Sequence, residues 1–381
     1  MILVNLLLSF AFSEIKQPIH KVIIRGGDEG SQFYRIPAIV VAPDNKTLVT
    51  ATDKRWTSHL DLPRKIDTVI KISKDNGLTW TNQTTISPGR SDPKGYGDPA
   101  LVVDHVTKAI FCLFTGLQGT FESTKDDRQH IYYCVSFDNG ETWSPMEDIT
   151  NMLYGTGCKD PIRKEYYSTF ITSGNGVQLR NGRLMFVGAG RRDSSRKTYD
   201  FAVYSDDHGK TWTMSPWSPT NGNGDESKIV ELNNGSLLMS IRNQAKKNRK
   251  NSLSIDGGLT WSPPVIHPDL VDPACNGDII RYTSTKDGFN KDRLLHSLDF
   301  HPTSRQNLSV LVSYDEGNTW PVQKVICPGP SVYSSITFSP IDGTIFLYWE
   351  NGTSNMDMTV TTLTLDYLTD GKDTWTPPNK K

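Results

Sequence analysis

The 381-residue chain has no apolar run near the roughly 18 residues that a membrane-crossing helix needs, so no span is expected. It also lacks an excess of either charge. Its 41 basic and 42 acidic residues leave a net charge of −1, which gives no field to draw nucleic acid or an anionic membrane surface. An anionic ligand would have to be caught by a few placed arginines. The five cysteines (Cys112, Cys134, Cys158, Cys275, Cys327) are an odd number without a C-x-x-C pair, which excludes a zinc ribbon and a legible disulfide framework. Cys112 and Cys134 fall in β-rich stretches and read as buried small hydrophobes, with one disulfide left open. There is no metal-ligand spacing and no phosphate-cradling glycine loop, so neither a metal nor an organic cofactor is expected. Helical periodicity is missing as well, which excludes a helical solenoid.

What the chain does have is one octapeptide written five times. Ser136-Phe137-Asp138-Asn139-Gly140-Glu141-Thr142-Trp143 reads S-x-D-x-G-x-T-W, and its other copies run Ser73–Trp80, Ser205–Trp212, Ser254–Trp261 and Ser313–Trp320. The Asp can accept from backbone N–H groups a few residues on, and the Gly supplies a positive φ. Thr and Trp then enter a strand, with the indole packing between repeats. β-rich stretches precede the copies, such as Ile131 to Val135 and Leu308 to Val312. Each copy therefore reads as a turn between two strands of one sheet. The starts at Ser73, Ser136, Ser205, Ser254 and Ser313 recur at the interval of a four-stranded unit repeated as propeller blades. Repetition of this kind overrides a length prior of two or three domains, because blades close into one ring.

Residues 1–13 (MILVNLLLSFAFS) are apolar and short, with Ala11 and Ser13 placed as −3 and −1 of a cleavage site. They read as a secretory signal lacking the usual basic start, the alternative being a first strand. Residues 14–381 then form one domain. Sequons at Asn45, Asn82, Asn234, Asn307 and Asn351 agree with secretion.

The first chemical feature is Phe33-Tyr34-Arg35-Ile36-Pro37, an arginine among neighbours that favour burial. Y-R-I-P followed by repeated S-x-D-x-G-x-T-W resembles the sialidases (exo-neuraminidases), in particular their secreted or bacterial-type catalytic domains, from about Tyr34 to Glu350. The octapeptides alone would not carry function, since non-catalytic propellers have them too. The resemblance implies an all-β, six-bladed propeller of four-stranded antiparallel blades, and three arginines that grip the carboxylate of sialic acid. Arg35 is the first. The second follows a catalytic Glu at a set interval in the family, which assigns Glu226 and Arg242 across the hairpin Ile229–Ile241. The third is Arg305, just ahead of the strand into the fifth octapeptide. A guanidinium suits this task because it meets a carboxylate with two parallel hydrogen bonds and stays charged.

The resemblance places the nucleophile at Tyr333, in Ser331-Val332-Tyr333-Ser334-Ser335, at about the family's distance beyond the third arginine. A phenol of pKa about 10 needs help at neutral pH. Glu226 is expected to draw its proton, and the nearby arginines to favour the phenolate. A phenol also avoids the repulsion that a carboxylate nucleophile would meet from the sugar's own carboxylate, unlike the two-carboxylate scheme of most glycosidases. Glu350 matches the family's residue that orients the first arginine. For the acid/base, the family places an Asp on a loop that follows that arginine, before the strand into the first octapeptide. Asp53, Asp61 and Asp67 are the candidates. Asp61, in the polar loop Thr57–Pro63, fits the family's spacing best, and Asp67 reads as structural. His59 is a further candidate by its pKa alone. Arg55 and Asp98 resemble the positions that contact the sugar's 4-hydroxyl, with a structural ion pair as the alternative.

The reading implied is a secreted or cell-surface exo-α-sialidase, a retaining glycoside hydrolase. A lysosome-like compartment is the alternative location. The protein is expected to act as a monomer on sialylated glycans, with no nucleic acid partner. A trans-sialidase or an anhydro-forming enzyme would share every residue named. A sialic-acid-binding propeller without turnover would need only the arginines, and a structural propeller with a protein partner would need none of them.

Overall fold

The computed structural model describes residues 15–89, 94–216, 218–220, 222–352 and 356–379, so the candidate signal at 1–13 lies outside the described residues. The fold is all-β and propeller-type, with only two single-turn α-helices among the described residues. The strands of the described residues form five hydrogen-bonded sheets. The first runs Phe33–Val41, Leu48–Arg55, Ile66–Ser73, Thr84–Ser87. The second is built on Tyr96–Asp104, Ala109–Leu117 and Gln129–Ser136, and the third on Ser168–Ile171, Leu184–Arg191 and Tyr199–Ser205. The fourth runs Ser227–Glu231, Leu237–Ile241, Lys247–Ser254, Val265–Asp272. The last sheet has seven strands where separate four-stranded units were expected. The reason is one 17-residue strand, Val322–Phe338. Its first half pairs with Gln306–Ser313 and its second half with Ile345–Asn351. The amino-terminal strand Ile19–Ile24 completes this sheet by pairing with Asp357–Leu363 near the other end of the chain.

Apolar layers join each sheet to the next. Ile70, Ile72, Leu101 and Phe114 fill the space between the first two sheets, and Phe111, Ile131, Phe186 and Phe201 the next. Met185 and Ala202 meet Met239 and Ile241; Val230 and Leu238 meet Leu294 and Leu311. Finally Ile39, Leu48 and Val69 of the first sheet pack on Phe346, Tyr348 and Val360 of the last. The succession of cores thus returns to its start.

Every octapeptide occupies the same place. Each begins on the last residue of a strand: Ser73, Ser136, Ser205, Ser254 and Ser313. In the second copy, Ser136 Oγ donates to Asp138 Oδ1 at 2.8 Å and accepts from the Gly140 N–H at 2.9 Å. Asp138 also accepts from the Thr142 N–H at 2.9 Å and from Thr142 Oγ1 at 2.5 Å, while Trp143 Nε1 donates to Gly140 O at 3.0 Å. Gly140 needs its hydrogen for two reasons. Its φ is +90°, and a Cβ would lie 2.9 Å from Val49 Cγ2 of the preceding sheet. The turn is therefore both a local hydrogen-bonded unit and a contact between sheets.

Asp138→Ala is expected to remove three hydrogen bonds from a half-buried turn, costing about 1–2 kcal/mol. Thermal melting should move down while the KM of the folded fraction stays unchanged. Weaker substrate affinity at an unchanged melting temperature would instead put the octapeptide in contact with substrate.

Candidate active site

The site gathers at one end of the innermost strands, where β-bulges turn side chains out of the ladder. Between Arg35 and Ala38 the register shifts, with Ile36 at φ +64° ahead of Pro37. Between Gly97 and Ala100 it shifts again, with Asp98 at φ +57° ahead of Pro99. A third shift spans Ser331 to Ser334, around Tyr333. Amides released at these bulges are taken up by buried carboxylates. Glu350 accepts from the Ile36 N–H at 2.7 Å and the Tyr333 N–H at 3.3 Å, and Asp53 accepts from the Asp98 N–H at 2.9 Å. Leaving those donors unpaired in the interior would cost about 1–3 kcal/mol each.

These elements wall a cavity of about 520 Å³ whose lining includes Arg35, Asp61, Asp98, Glu226, Arg242, Arg305 and Tyr333. Sequence positions as far apart as 35 and 333 thus meet at one mouth. Tyr333 lies at the centre. The Arg35 guanidinium sits 4.9 Å and the Arg305 guanidinium 5.6 Å from its ring centroid. Arg242 Nη1 donates to Tyr333 Oη at 2.9 Å and also to Glu226 Oε2, so one guanidinium bridges phenol and carboxylate. Arg35 Nη2 donates to Glu350 Oε2 at 3.2 Å, and its Nη1 lies 3.8 Å from Asp61 Oδ1. Arg305 has no carboxylate within ion-pair distance among the described residues. Its half-buried charge faces the cavity beside the Tyr333 ring.

Burial and neighbouring charge set the protonation states. Burial pushes the Tyr333 phenol well above its ordinary pKa, the Glu226 carboxylate adds to this, and the three arginines do not overcome it. The arginines do favour the phenolate, as expected, but burial outweighs them, and Tyr333 rests as a neutral phenol. Asp98 lines the cavity, and burial, then Asp53 and Asp61, push its carboxyl well above the carboxylate range. Burial would raise Asp61 too, but Arg55 and Arg35 outweigh it and hold that carboxyl below its usual range.

Not every expected residue lines the cavity. Arg55 is fully buried, with Asp53 at 2.9 Å and Asp61 at 2.8 Å. Asp53 is thereby the buried anchor of Arg55 and no acid/base. Asp67 accepts from Trp56 Nε1 at 3.0 Å and from the Gly89 N–H, the structural role expected of it. The His59 ring lies edge-on to Phe33, and only its carbonyl joins the network. Asp225 was missed: it sits 3.2 Å from Arg242 Nε, and burial, opposed by Arg242, pushes its carboxyl up to about 6. Adjacency to Glu226 was the one signal available. Phe121, Glu122, Phe170, Thr198 and Gln244 also line the cavity without belonging to any motif. All five cysteines are free, including Cys112 and Cys134, which lie opposite each other on adjacent strands. No helix of the described residues is long and apolar enough to cross a membrane, and no group of three or more His, Cys, Asp or Glu among them could hold a metal ion.

Behind Arg305, burial pushes the Asp299 carboxyl up to about 8, its Oδ1 accepting from Ser331 Oγ. The folded state holds this proton more tightly than the unfolded chain. The associated stability is complete below about pH 4 and is lost as pH rises through 8. Melting temperature should therefore decline between about pH 4 and 8, and decline less in Asp299→Asn. An identical pH dependence in the variant would show that Asp299 does not carry the proton.

The BNR repeat-like domain family matches residues 62–347. A sialidase of Micromonospora viridifaciens is 35% identical over 347 residues, covering 86% of this chain and 51% of its own length. A sialidase of Bacteroides fragilis is 27% identical over 349 residues, covering 87% and 62%. The chain thus spans between half and two thirds of these relatives. Among solved structures, Hadza microbial sialidase Hz136 superposes with a TM-score of 0.78 at 27% identity, covering 90% of this chain and 68% of that one. The intramolecular trans-sialidase from Ruminococcus gnavus, in complex with oseltamivir carboxylate, superposes at 0.77 with 20% identity, covering 91% and 97%, a likeness of fold. With its repeats, its cavity and these relatives in agreement, the chain belongs to the BNR repeat-like domain family, and within it to the sialidase type.

Proposed function

We propose that this protein is an exo-α-sialidase, a retaining glycoside hydrolase that releases terminal sialic acid from glycans through a covalent tyrosyl intermediate. The observation that carries the reading is the convergence of Arg35, Arg242 and Arg305 around Tyr333, with Arg305 lacking a carboxylate partner and Arg242 joining Tyr333 to Glu226. Three guanidiniums on a half-enclosed cavity answer a carboxylate, and a phenol beside a carboxylate answers a nucleophile with its base. A binding module would have no use for the second pair, which favours turnover.

In this reading the arginines hold the sugar's carboxylate, with Glu350 fixing Arg35. Tyr333 Oη attacks the anomeric carbon and passes its proton to Glu226. The bond to the aglycone oxygen breaks, and that oxygen takes a proton from Asp61. Water then attacks the same carbon, gives its proton to Asp61, and returns Tyr333 to a phenol with the proton held by Glu226. Asp98, on the cavity wall, suits a contact to a ring hydroxyl.

The same proposal takes residues 14–381 as one domain of six blades, the seven-stranded sheet counting as two about Val322–Phe338. It also takes the protein to be a secreted or surface monomer. Arg305→Ala tests the carboxylate clamp. Loss of a desolvated charge-assisted pair should cost about 2–5 kcal/mol, a drop in kcat/KM of roughly 30- to 5,000-fold. Activity on a fluorogenic sialoside within a few-fold of the parent would remove Arg305 from the clamp. NMR of the products from the two sialyllactose isomers separates hydrolysis from transfer and from anhydro formation, which would use the same residues.

A further inference from the structure

We propose that Gly119 is a positioning residue for Asp61, and that the segment Gly119–Ser123 sets where the Asp61 loop stands at the cavity wall. The inference rests on the sialidase reading above and adds to it what fixes the acid. The two segments come from different sheets. Asp61 lies between the strands Leu48–Arg55 and Ile66–Ser73, and Gly119 between Ala109–Leu117 and Gln129–Ser136. Both line the cavity. They meet at Leu62, the residue after Asp61. A Cβ on Gly119 would overlap the Leu62 carbonyl oxygen and lie 3.1 Å from its carbon. Only glycine lets the two backbones approach this closely.

The two sides of this contact are held unequally. Ser123 donates to the Gly119 carbonyl from its N–H at 3.0 Å and from its Oγ at 2.7 Å. Arg191, 4% exposed, ends the strand Leu184–Arg191 of the third sheet. Its Nη1 donates to the carbonyls of Thr120, Phe121 and Ser123 at 3.0, 3.3 and 3.3 Å. Ser168 Oγ adds a bond to the Thr120 carbonyl at 3.0 Å. The Asp61 side has no such ties. Neither Asp61 nor Leu62 has a backbone group hydrogen-bonded to another described residue, and the Asp61 side chain is 71% exposed. Arg55 at 2.8 Å and Arg35 at 3.8 Å hold the carboxylate but not the backbone that carries it. A methyl group added at Gly119 therefore displaces the looser partner, moving Leu62 and Asp61 while Gly119–Ser123 stays. Misplacing a reacting group by about 1 Å can cost about 10²-fold in rate.

The test uses the full chain carrying Gly119→Ala, assayed on 3′-sialyllactose and on 4-methylumbelliferyl sialoside, with free sialic acid as a competitive inhibitor. kcat on sialyllactose should fall by about 10²-fold, because its leaving group needs the acid. The aryl substrate should lose far less, and the Ki of free sialic acid should not change. In an Asp61→Asn background, Gly119→Ala should bring no further loss of kcat on sialyllactose. The added Cβ would also crowd the Glu122 carboxylate, a flexible group on the lining. In a Glu122→Ala background the effect should persist, and its disappearance there would overturn the proposal. So would equal losses on both substrates, or unchanged activity on both. Should Gly119→Ala fail to fold, Arg191→Lys loosens the segment from the other side. The same substrate split is then expected, and an even loss would count against the proposal in the same way. A parent protein that cleaves neither substrate would sink the sialidase reading itself, an outcome distinct from these.

Discussion

Tyr333→Phe is expected to lower kcat on sialyllactose and on an aryl sialoside by the same factor, on the order of 10³–10⁶, the range seen when a nucleophile is removed from a working catalytic unit. The substitution deletes one oxygen and little else. The ring remains to fill the space between Arg35 and Arg305, which face its plane and not its hydroxyl. Arg242 keeps Glu226 and Asp225 as partners after losing the Tyr333 hydroxyl. Binding of free sialic acid should therefore survive, and the loss should fall on kcat. The factor is common to both substrates because attack at the anomeric carbon precedes any dependence on which group departs. Residual turnover within about tenfold of the parent would mean that Tyr333 is an aromatic wall and that the reaction needs no covalent step at this residue.

Asp61→Ala should separate the two substrates that Tyr333→Phe treats alike. A sugar alkoxide needs a proton to leave, whereas 4-methylumbelliferone leaves almost unaided. General acid–base help is worth about 10²–10⁴-fold, so sialyllactose hydrolysis should fall by that amount and aryl hydrolysis by much less, until release of the tyrosyl intermediate limits it. The structure adds a second consequence. Arg55 and Arg35 hold Asp61 ionised in the free protein, so its role as an acid requires it to take up a proton when substrate binds. Equal, small losses on both substrates would place the acid elsewhere. The lining then offers Glu122 and Asp98 as replacements, while His59 and Asp67 do not line the cavity.

Much of the architecture was legible in the chain because its determinants are local. In the second octapeptide the hydrogen bonds that close the turn run between residues no more than four apart, so the turn carries its own instructions. The residues at the strand ends were legible for a related reason. Arg35, Glu226, Arg242 and Tyr333 each sit in a short motif whose bulge or hairpin aims the side chain at the mouth. The seven-stranded sheet was less legible. Val322–Phe338 contains Cys327, Pro328, Gly329 and Pro330 midway, letters that promise a break, yet the chain runs on and pairs on both flanks. Asp225 and Asp53 were unreadable as partners, because an Asp beside a Glu or two places before an Arg is common on any surface.

The sequence by itself determined the repeat, the strand–turn–strand grammar and the types of side chain brought to the mouth, since these depend on contacts within a few residues. Only the tertiary structure decided what those side chains are when they arrive. Arg35 meets a carboxylate 315 positions away, and Arg242 meets a phenol 91 positions away. Burial and such distant charges, not local spelling, push the Tyr333 phenol and the Asp98 carboxyl up and hold the Asp61 carboxyl down. A pKa responds to everything within a few ångströms, and which groups share those few ångströms is settled only when the sheets close on one another.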